Sequence, residues 1–461
     1  MKSSRSKLLH EVAGHSLLSY AVDAASAVEP QRVVVVVGHQ RDQVEAHLSE
    51  VAPHVTIAVQ EEQRGTGHAV QCALAGLEDL TGEVLVTMAD VPMLEGETLA
   101  DLVATHRRSG AAVTVLTAEL EDPTGYGRVL RDAAGHVSQI VEHRDATPEQ
   151  RAVLEINSGI YVFDAELLRT GLDQITADNA QHEFYLTDLV GIARHLGHTV
   201  QAHLIDDLWQ TEGVNDRVQL ARINAEANRR ILDRWMRAGV TVMDPATTWV
   251  HASVDLATDV TLLPGTFLQG ATSVATGATI GPDVTLVDVE VGERATVTRT
   301  QGSLSVIGAD ASVGPFAYLR PGTELAAGGK IGTFVETKNT SIGAGAKVPH
   351  LTYAGDAVIA EGANIGAGTI FANYDGVSKA TTYVGRASFV GSNSVLMAPV
   401  TIADGAYVAA GSAVTGDVGA GQLAVARGQQ RNINGWVARK RSGTKTARAA
   451  EAASAQEEPQ S

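Results

Sequence analysis

The sequence has few of the features that would place it among disulfide-linked, membrane-spanning or nucleic-acid-binding proteins. Its single cysteine, Cys72, cannot form an internal disulfide, and it has neither an 18-residue apolar run nor a signal peptide. These features predict a cytoplasmic, reducing setting and no membrane partner. With 35 Lys and Arg against 53 Asp and Glu, the formal net charge is −18, whereas binding to a phosphate backbone needs a basic face. We therefore expect no nucleic-acid partner, and anionic substrates would have to meet local clusters of cations.

Aromatic residues are also scarce, at 4% of the 461 residues, whereas glycines number 46. A chain of this length predicts two domains, each able to bury a core of its own. The bias from aromatic residues towards glycine favours tight turns over a core filled with large rings.

The C-terminal half carries a hexapeptide repeat. A spacing of six fits neither an amphipathic helix, which shows three and four, nor a half-buried strand, which shows two. In a triangular parallel β-helix each flat face takes one hexapeptide, and its aliphatic residue points into a stacked core. The aliphatic residues at this spacing are Leu268, Val274, Ile280 and Leu286, then Ile307, Val313 and Leu319, and finally Val384, Val390, Leu396, Ile402, Val408 and Val414.

The repeat is interrupted after Ile365 and Phe371, where a polar stretch runs until Val384 restores the register. We expect a loop at 371–383 to leave the coil there, and loops on a rigid scaffold often bind ligands. Solenoids of this kind commonly assemble as three chains, so a homotrimer with sites between subunits is expected by analogy.

The N-terminal half predicts a parallel α/β sheet. Apolar runs at 33–37, 56–59, 84–87 and 112–116 alternate with helical patterns at 16–27 and 96–108. Ligands of such sheets lie at the carboxyl ends of the strands, so Asp90, directly after VLVTMA, stands where a metal or phosphate ligand belongs. The alternative for Asp90 is a solvated turn residue.

The domain boundaries follow from these patterns. Helix-spaced apolar residues from Val218 to Trp235 predict a linker helix. The last 25 residues lose all periodicity and are predicted to be disordered. We thus expect a nucleotidyltransferase-type α/β domain at 1–213, a linker helix at 214–238, a left-handed β-helix at 239–436 and a disordered tail at 437–461.

The ordered set of motifs resembles one bacterial family, the bifunctional N-acetylglucosamine-1-phosphate uridyltransferases and glucosamine-1-phosphate N-acetyltransferases. The resemblance covers nearly the whole chain. It implies synthesis of UDP-N-acetylglucosamine for peptidoglycan, lipopolysaccharide and cell shape, with Mg²⁺ as cofactor and UTP, acetyl-CoA and glucosamine-1-phosphate as substrates. The stretches that carry it are EEQRGTGHAV, DPTGYGR, VEHRDAT, EGVNDRVQL, VGPFAYLRPG, FVETKN, VPHLTYAGDA, NIGAGTIFANYDG and VGSNSVLMAPVTI.

For the first domain, the resemblance implies that Lys7 contacts the nucleotide phosphates and that Asp90 and Asn215 hold Mg²⁺, a hard ion that prefers oxygen ligands. It implies that Asn215 also belongs to the UDP-N-acetylglucosamine site. Read without the family, the glycines of the GTG turn could be purely structural, and Glu142 and Asn157 would be taken for surface or turn residues. The implied uracil-reading residues are Gln60, Gly65 and Thr66, and the implied sugar-binding residues are Gly127, Glu142 and Asn157.

For the β-helix domain, the resemblance implies that His350 is the general base of acetyl transfer, a task that suits an imidazole. A lone loop histidine would otherwise be read as a surface residue, and Ala367 and Ala410 also suit ordinary coil positions. The implied ligands of the sugar phosphate and its amine are Arg320, Lys338, Tyr353, Asn364, Asn373 and Tyr374. The implied acetyl-CoA-binding residues are Ala367, Asn373, Tyr374, Ser392, Ala410 and Arg427.

The chain departs from the family pattern at its start, where we expect a strand and a glycine-rich G-x-G-T-R-M loop to be missing. Ser6 also replaces a proline, and Ala89 replaces a glycine. On this basis we expect uridyl transfer to be impaired and acetyl transfer to be intact. Two alternatives remain: a monofunctional acetyltransferase with a decayed first domain, and a non-enzymatic regulatory subunit resembling the exchange-factor subunits of eukaryotic translation initiation.

Overall fold

The structure is a computed structural model that describes residues 1–77 and 79–457. It divides into two compact units, Met1–Arg294 and the chain from Ala295 onward, which we call the first and the second unit. The sequence-based boundaries near 213, 238 and 436 stay predictions. Among the described residues, no helix is both long and apolar enough to cross a membrane.

The α/β part of the first unit is built on a six-stranded mixed sheet. Its longest strand, Glu155–Asp164, is almost wholly buried and runs antiparallel to Glu83–Val86 and Val113–Glu119. The prediction of a parallel sheet is therefore wrong at this strand, because a continuous apolar run carries no information about strand direction. The other strands of the sheet are Arg128–Arg131, Val137–Val141 and Val200–Leu204.

Two strand pairs lie outside this sheet. Val34–Val37 and Thr56–Val59 pair in parallel, as the sequence predicts, and Glu11–Val12 pairs antiparallel with His15–Ser16. Both predicted helices are present. Leu17–Ser26 begins where the Ser16 side chain accepts a hydrogen bond from the Ser19 N–H, and Gly96–Ser109 ends at Gly110 in a left-handed conformation.

The remaining α-helices of this part pack around the strands. A large buried cluster includes Val113, Val115, Phe163, Leu168 and Leu189, and with Val70 it joins the sheet to three of these helices. The helices are Arg41–Val51, Thr66–Leu74, Pro148–Arg151, Ala165–Leu172 and Asp188–His195, and 3₁₀ turns cover Lys7–Leu9 and Leu208–Thr211.

The predicted linker helix is the 21-residue helix Arg217–Arg237. It begins at Asp216, whose carboxylate accepts from the Val218 and Gln219 N–H groups. Ile223, Ile231 and Leu232 form its buried face, as the apolar pattern indicates, but Val218 is 69% exposed and lies off that face.

The first unit ends in short parallel strands that repeat every 18 residues, as where Thr261 pairs with Thr279. The predicted core residues Leu268, Val274, Ile280 and Leu286 are all buried. These are coils of the left-handed parallel β-helix that the hexapeptide spacing predicts. The strands are Thr241–Val242, Trp249–Val250, Asp255–Leu256, Thr261–Leu262, Thr266–Gln269, Ser273–Val274, Thr279–Ile280 and Val284–Val291.

The second unit consists mainly of such coils, and all nine of its predicted hexapeptide core residues are at most 3% exposed. The strands pair in parallel with the corresponding strands of the next coil; Phe389, for example, pairs with Tyr407. The strands are Thr296–Val297, Thr300–Ile307, Ser312–Val313, Ala317–Leu319, Thr323–Leu325, Lys330–Thr333, Glu336–Ile342, Lys347–His350, Tyr353–Ile359, Asn364–Ile365, Ile370–Ala372, Thr382–Val384, Phe389–Val390, Val395–Met397, Val400–Ile402, Tyr407–Val408, Ala413–Val414 and Leu423–Ala424.

The coil is interrupted where the sequence predicts a loop. Ile370 pairs with Val395, 25 positions further on, so this coil carries additional residues between the strands Ile370–Ala372 and Thr382–Val384. The loop closes by a bridge between Tyr374 and Lys379 and by a hydrogen bond from the Ala380 N–H to the Asn373 carbonyl (2.9 Å).

The tail differs from the expectation of disorder over 437–461. Two helices, Trp436–Lys440 and Lys445–Glu457, occupy its described part, and residues 458–461 lie outside the described residues. The second helix is rich in alanine, the best helix former, so local propensity explains helix formation in a segment without an apolar pattern.

Candidate active sites

The first group of predicted residues lies where the strand Glu83–Val86 ends. Asp90 and Asn215 direct one oxygen each at the same point, which the Lys7 ammonium occupies, 2.5 Å from Asp90 Oδ2 and 2.7 Å from Asn215 Oδ1. A backbone hydrogen bond from the Val214 N–H to the Asp90 carbonyl (2.9 Å) ties the two segments together. A carboxylate and an amide oxygen that converge on one cation fit Mg²⁺, which is held by few protein oxygens plus substrate phosphates.

The described residues contain no group of three or more His, Cys, Asp or Glu side chains that could hold a metal by themselves. Mg²⁺ sites commonly take only one or two protein oxygens and are completed by water and substrate phosphates.

The three predicted sugar-binding residues also lie together. A Cβ at Gly127 would lie 3.4 Å from Glu142 Oε1 and 3.5 Å from Asn157 Cβ, so the glycine leaves open space beside both side chains. Asn157 Oδ1 accepts from the Tyr161 hydroxyl (2.8 Å) and the Gly159 N–H (3.0 Å). These bonds fix the amide so that its NH₂ group remains available to donate to a ligand.

Glu142 lies in an acidic surrounding. Its own burial raises the pKa of its carboxyl, and the nearby carboxylates of Asp145 and Asp188 raise it further, against a hydrogen bond from the Thr187 hydroxyl (3.4 Å). A carboxyl group whose charge is disfavoured in this way is suited to hydrogen bonding with neutral sugar hydroxyls.

The GTG turn positions the predicted uracil-reading residues. Gly65 has φ +106°, and a Cβ there would lie 2.6 Å from the carbonyl oxygen of Phe184, so glycine is required. The Leu186 N–H donates to Thr66 Oγ1 (3.1 Å), which joins the start of the helix Thr66–Leu74 to the same neighbouring segment. The amide of Gln60 donates to the Gly65 carbonyl (3.1 Å).

Sequence reasoning missed His68 in this turn. Its Nδ1 lies 3.1 Å from Gln60 Nε2, and its Nε2 lies 3.7 Å from the Sγ of Cys72. Cys72 is partly buried. The sequence contains a signal for this contact, because His68 and Cys72 are four residues apart directly after the GTG motif, and residues four apart on a helix are neighbours.

Ser6, which replaces the proline of the family pattern, makes a hydrogen bond through its backbone. The Ser6 N–H donates to Gln43 Oε1 (2.9 Å), a bond that the proline of the family pattern could not make. Ala89, the other substitution, packs against an apolar cluster that includes Val35 and Leu48.

In the second unit, the predicted cationic residues lie on neighbouring coils. Arg320 forms an ion pair with Glu336 (2.9 Å), and the Lys338 ammonium lies 3.2 Å from the carboxylate of Asp356. Tyr353 pairs in register with Glu336 across adjacent strands. The pairing of Leu319 with Thr337 places Arg320 and Lys338 at neighbouring positions on adjacent coils.

Gly355 makes room for the next two residues. A Cβ at Gly355 would run into the Tyr353 hydroxyl and lie 2.9 Å from Asn373 Nδ2. Tyr353 and Asn373 thus face each other at the base of the loop. Tyr374, the next residue, is exposed, and its hydroxyl donates to the Gly376 carbonyl (2.6 Å) within the loop. Asn364 is partly buried in a strand that pairs with Lys347 and Phe389.

His350 ends the strand Lys347–His350 and is exposed. Its carbonyl accepts hydrogen bonds from the Thr352 hydroxyl (2.8 Å) and the Gly368 N–H (3.2 Å). Gly368 directly follows Ala367, so the histidine lies beside the first of the predicted acetyl-CoA-binding residues.

Four of the six predicted acetyl-CoA-binding residues, Ala367, Ser392, Ala410 and Arg427, lie on successive coils and form a column. The Ala367 carbonyl accepts from the Asn393 N–H (2.8 Å), and the Ser392 carbonyl accepts from the Gly411 N–H (2.8 Å). Arg427 Nη1 donates to the Ala410 carbonyl (3.1 Å) and closes the column. Ala367, Ser392 and Ala410 have small side chains, and Arg427 places a cation at the end of the column.

Two carboxylates of this region, Glu336 and Asp356, were missed. Their positions relative to Arg320 and Lys338 follow from the coil length, because residues 16–18 apart lie on adjacent coils. The coil length of 16–18 residues could therefore have predicted that these carboxylates lie beside the two cations.

Comparisons with known proteins identify the family of this chain. The model of the family described as "Nucleotidyl transferase" matches residues 2–215. The bifunctional protein GlmU of Pseudarthrobacter chlorophenolicus is 56% identical over 98% of this chain and 93% of the relative. Those of Streptomyces avermitilis and Corynebacterium efficiens are 55% and 53% identical, over 98% of this chain and 95% and 94% of the relatives.

The chain belongs to the GlmU family. The resemblance inferred from the motifs is confirmed, and with it the expectation of a bifunctional enzyme of UDP-N-acetylglucosamine synthesis, an acetyltransferase and a uridyltransferase. The monofunctional and regulatory alternatives are not favoured. A crystal structure of UDP-glucose pyrophosphorylase complexed with UDP-glucose matches half of this GlmU-family chain and 90% of its own, at 15% identity and a TM-score of 0.39.

Proposed function

We propose that His350 is the general base of acetyl transfer in this GlmU-family enzyme. The imidazole takes a proton from the amine of glucosamine-1-phosphate as the amine attacks the thioester carbonyl of acetyl-CoA, and the coenzyme A thiolate leaves. Two observations support this proposal: the His350 carbonyl accepts from the Gly368 N–H next to Ala367 in the column, and Tyr353, which contacts Asn373, follows His350 by three residues. The column suits the pantetheine arm and the phosphates, and the Lys338–Tyr353–Asn373 group suits the sugar phosphate.

The test is His350→Ala, assayed by release of the coenzyme A thiol. We expect acetyl transfer to fall by roughly 10²–10⁴-fold, the usual contribution of a positioned base. Lys347→Met, an exposed change on the same strand, is the matched control and should stay within about twofold of wild type. Uridyl transfer in the same preparation should be unchanged. A His350→Ala enzyme with near wild-type acetylation would rule out the assignment.

For the first unit we propose uridyl transfer from UTP to N-acetylglucosamine-1-phosphate. Gln60, Gly65 and Thr66 read the uracil, and Gly127, Glu142 and Asn157 bind the sugar. Lys7 contacts the phosphates. Asp90 and Asn215 would hold Mg²⁺, which when bound would supply charge neutralisation. A sugar-phosphate oxygen attacks the α-phosphorus of UTP, and pyrophosphate leaves. The fit of the two converging oxygens to a hard cation supports the metal assignment.

We further propose a homotrimer in the cytoplasm, where UTP and acetyl-CoA are available. The oligomer is supported by an apolar surface formed by Phe316, Phe334 and Leu351, which are 52%, 58% and 60% exposed. The two phenyl rings stack at 5.4 Å. All three residues have positive φ, a conformation that costs bulky residues energy and is kept where the surroundings stabilise it. Sedimentation of a stable monomer at micromolar concentration would contradict the oligomer.

A further inference from the structure

Asp356 is a buried carboxylate of the second unit to which the proposed reaction gives no role. It is 7% exposed, and four side-chain hydrogen bonds converge on it. The Lys338 ammonium donates to both oxygens (3.2 and 3.3 Å), the Asn339 amide donates to Oδ1 (2.9 Å), and the Asn373 amide donates to Oδ2. Two of these three donors, Lys338 and Asn373, are residues that we assign to substrate binding.

The coil period produces this cluster. Asn339, Asp356 and Asn373 are spaced by 17 residues, and the pairing of Lys338 with Gly355 and of Thr340 with Ala357 places Asn339 opposite Asp356. Asn339 and Asp356 have φ of 46° and 49°, a left-handed conformation that Asn and Asp tolerate better than other side chains. The carboxylate therefore lies between two amides, one coil away from each.

The cluster also fixes the protonation state and the amide orientations. Burial opposes the charge on Asp356, but the hydrogen bonds from Asn339, Asn373 and Lys338 outweigh it and lower the pKa of the carboxyl. An ionised carboxylate only accepts hydrogen bonds, so Asn373 must turn its NH₂ group towards Asp356. Its Oδ1 is then left as an acceptor, which suits an amine that donates.

We propose that Asp356 is a positioning residue for acetyl transfer: it holds the Lys338 ammonium and the Asn373 amide in the orientations that bind the sugar phosphate and its amine. The inference rests on the proposed roles of Lys338 and Asn373. Asp356 acts through these two side chains and does not itself touch the substrate.

The first test is Asp356→Asn in the full-length enzyme. The substitution keeps the size of the side chain and its tolerance of a left-handed backbone, but it removes the charge and turns an NH₂ group towards one of the donors. We expect kcat/KM for glucosamine-1-phosphate to fall about 10- to 100-fold, chiefly through KM, as for the loss of a hydrogen bond to a charged group. Because removal of a negative charge by itself favours a phosphate ligand, an unchanged or lowered KM would overturn the proposal.

The matched control is Asp404→Asn. Asp404 belongs to the same unit and also accepts from a cation and an N–H, those of Arg386, but it is exposed, and in the described part of the chain its side-chain hydrogen bonds go to Arg386. Its acetyl transfer should stay within about twofold of wild type. Uridyl transfer by each variant, started from N-acetylglucosamine-1-phosphate, reports on the first unit of the same molecules.

A double-mutant cycle with Lys338→Met separates positioning from general stability. The double variant lacks both the Lys338 ammonium and the Asp356 carboxylate, so neither charge is buried without its partner. The amide oxygen introduced at position 356 can still accept from Asn373. This protein should therefore fold even if Asp356→Asn alone does not. The proposal requires its kcat/KM to lie within about threefold of Lys338→Met alone. If the kcat/KM losses of the two single variants multiply in the double variant, Asp356 is a purely structural residue and the proposal is overturned. A wild-type enzyme without acetyl transfer would instead refute the proposed function.

Discussion

Gly65→Ala is predicted to disable uridyl transfer while leaving acetyl transfer intact. Gly65 has φ +106° and ψ 174°, a region that is essentially restricted to glycine and that costs other residues about 1–3 kcal/mol. The added Cβ would lie 2.6 Å from the Phe184 carbonyl oxygen, about 0.8 Å short of an ordinary carbon–oxygen contact of roughly 3.4 Å. The turn must therefore move by most of an ångström.

This movement displaces the carbonyl that orients Gln60 and the start of the helix that carries Thr66. A misplacement of about 1 Å at a site costs roughly 10²-fold in rate, which corresponds to about 2.7 kcal/mol. We therefore expect kcat/KM for UTP, measured by pyrophosphate release, to fall about 10²-fold. Coenzyme A release from the same preparation should stay within about twofold of wild type.

Gly76→Ala is the matched control. Gly76 does not have a positive φ, and among the described residues a Cβ there meets no heavy atom within 4 Å, so both activities should match wild type. If Gly65→Ala retained the wild-type kcat/KM for UTP, then the turn would not position the nucleotide and our account of the GTG motif would be wrong.

The remaining predictions concern the metal, the coil core and one ion-pair cluster. Chelation of divalent cations should abolish uridyl transfer and leave acetyl transfer within about twofold; uridyl transfer that persists in excess EDTA would refute a metal at Asp90. Leu396→Ala, at a fully buried coil position, should lower the free energy of unfolding of the second unit by about 2–5 kcal/mol, whereas exposed Val377→Ala should change it by less than about 0.5 kcal/mol in urea titrations. Arg230 hydrogen-bonds Asp207 and lowers the pKa of its carboxyl, so Arg230→Met should destabilise the first unit at pH 7. A carboxyl whose pKa is lower in the folded state stabilises the fold above its unfolded-state pKa, which is near 4, and this stabilisation is lost as the pH falls. The stability difference between wild type and Arg230→Met should therefore shrink below about pH 4. A difference that grows in acid would contradict this reasoning.

The core of the coils was predictable residue by residue. A spacing of six between aliphatic residues has one structural explanation, and every predicted residue from Leu268 to Val414 is buried. The position of the loop followed from the same pattern, because Phe371 still fills the core while the next aliphatic core residue is Val384.

Two other features could not be predicted in this way. The strand Glu155–Asp164 is buried on both faces, so its composition does not reveal that it runs antiparallel to its neighbours. The sequence around Asp356 gives no pattern that marks this aspartate as important. Its role depends on the hydrogen-bond donors Lys338 and Asn373, which lie on the adjacent coils. Contacts of this kind can be anticipated only once the coil length is known.

The loop between Asn373 and Ala380 shows where this fold accepts insertions and deletions. The coil regains its register beyond the loop, since Thr382 pairs with Val400, 18 positions further on, as elsewhere in the unit. An insertion at a corner therefore changes no inward-facing residue, whatever its length. A deletion of one residue within a strand such as Val395–Met397 would instead turn Leu396 from the interior to the surface. Lineages can be expected to vary the length of the chain at the corners of the coil and to preserve it along the faces.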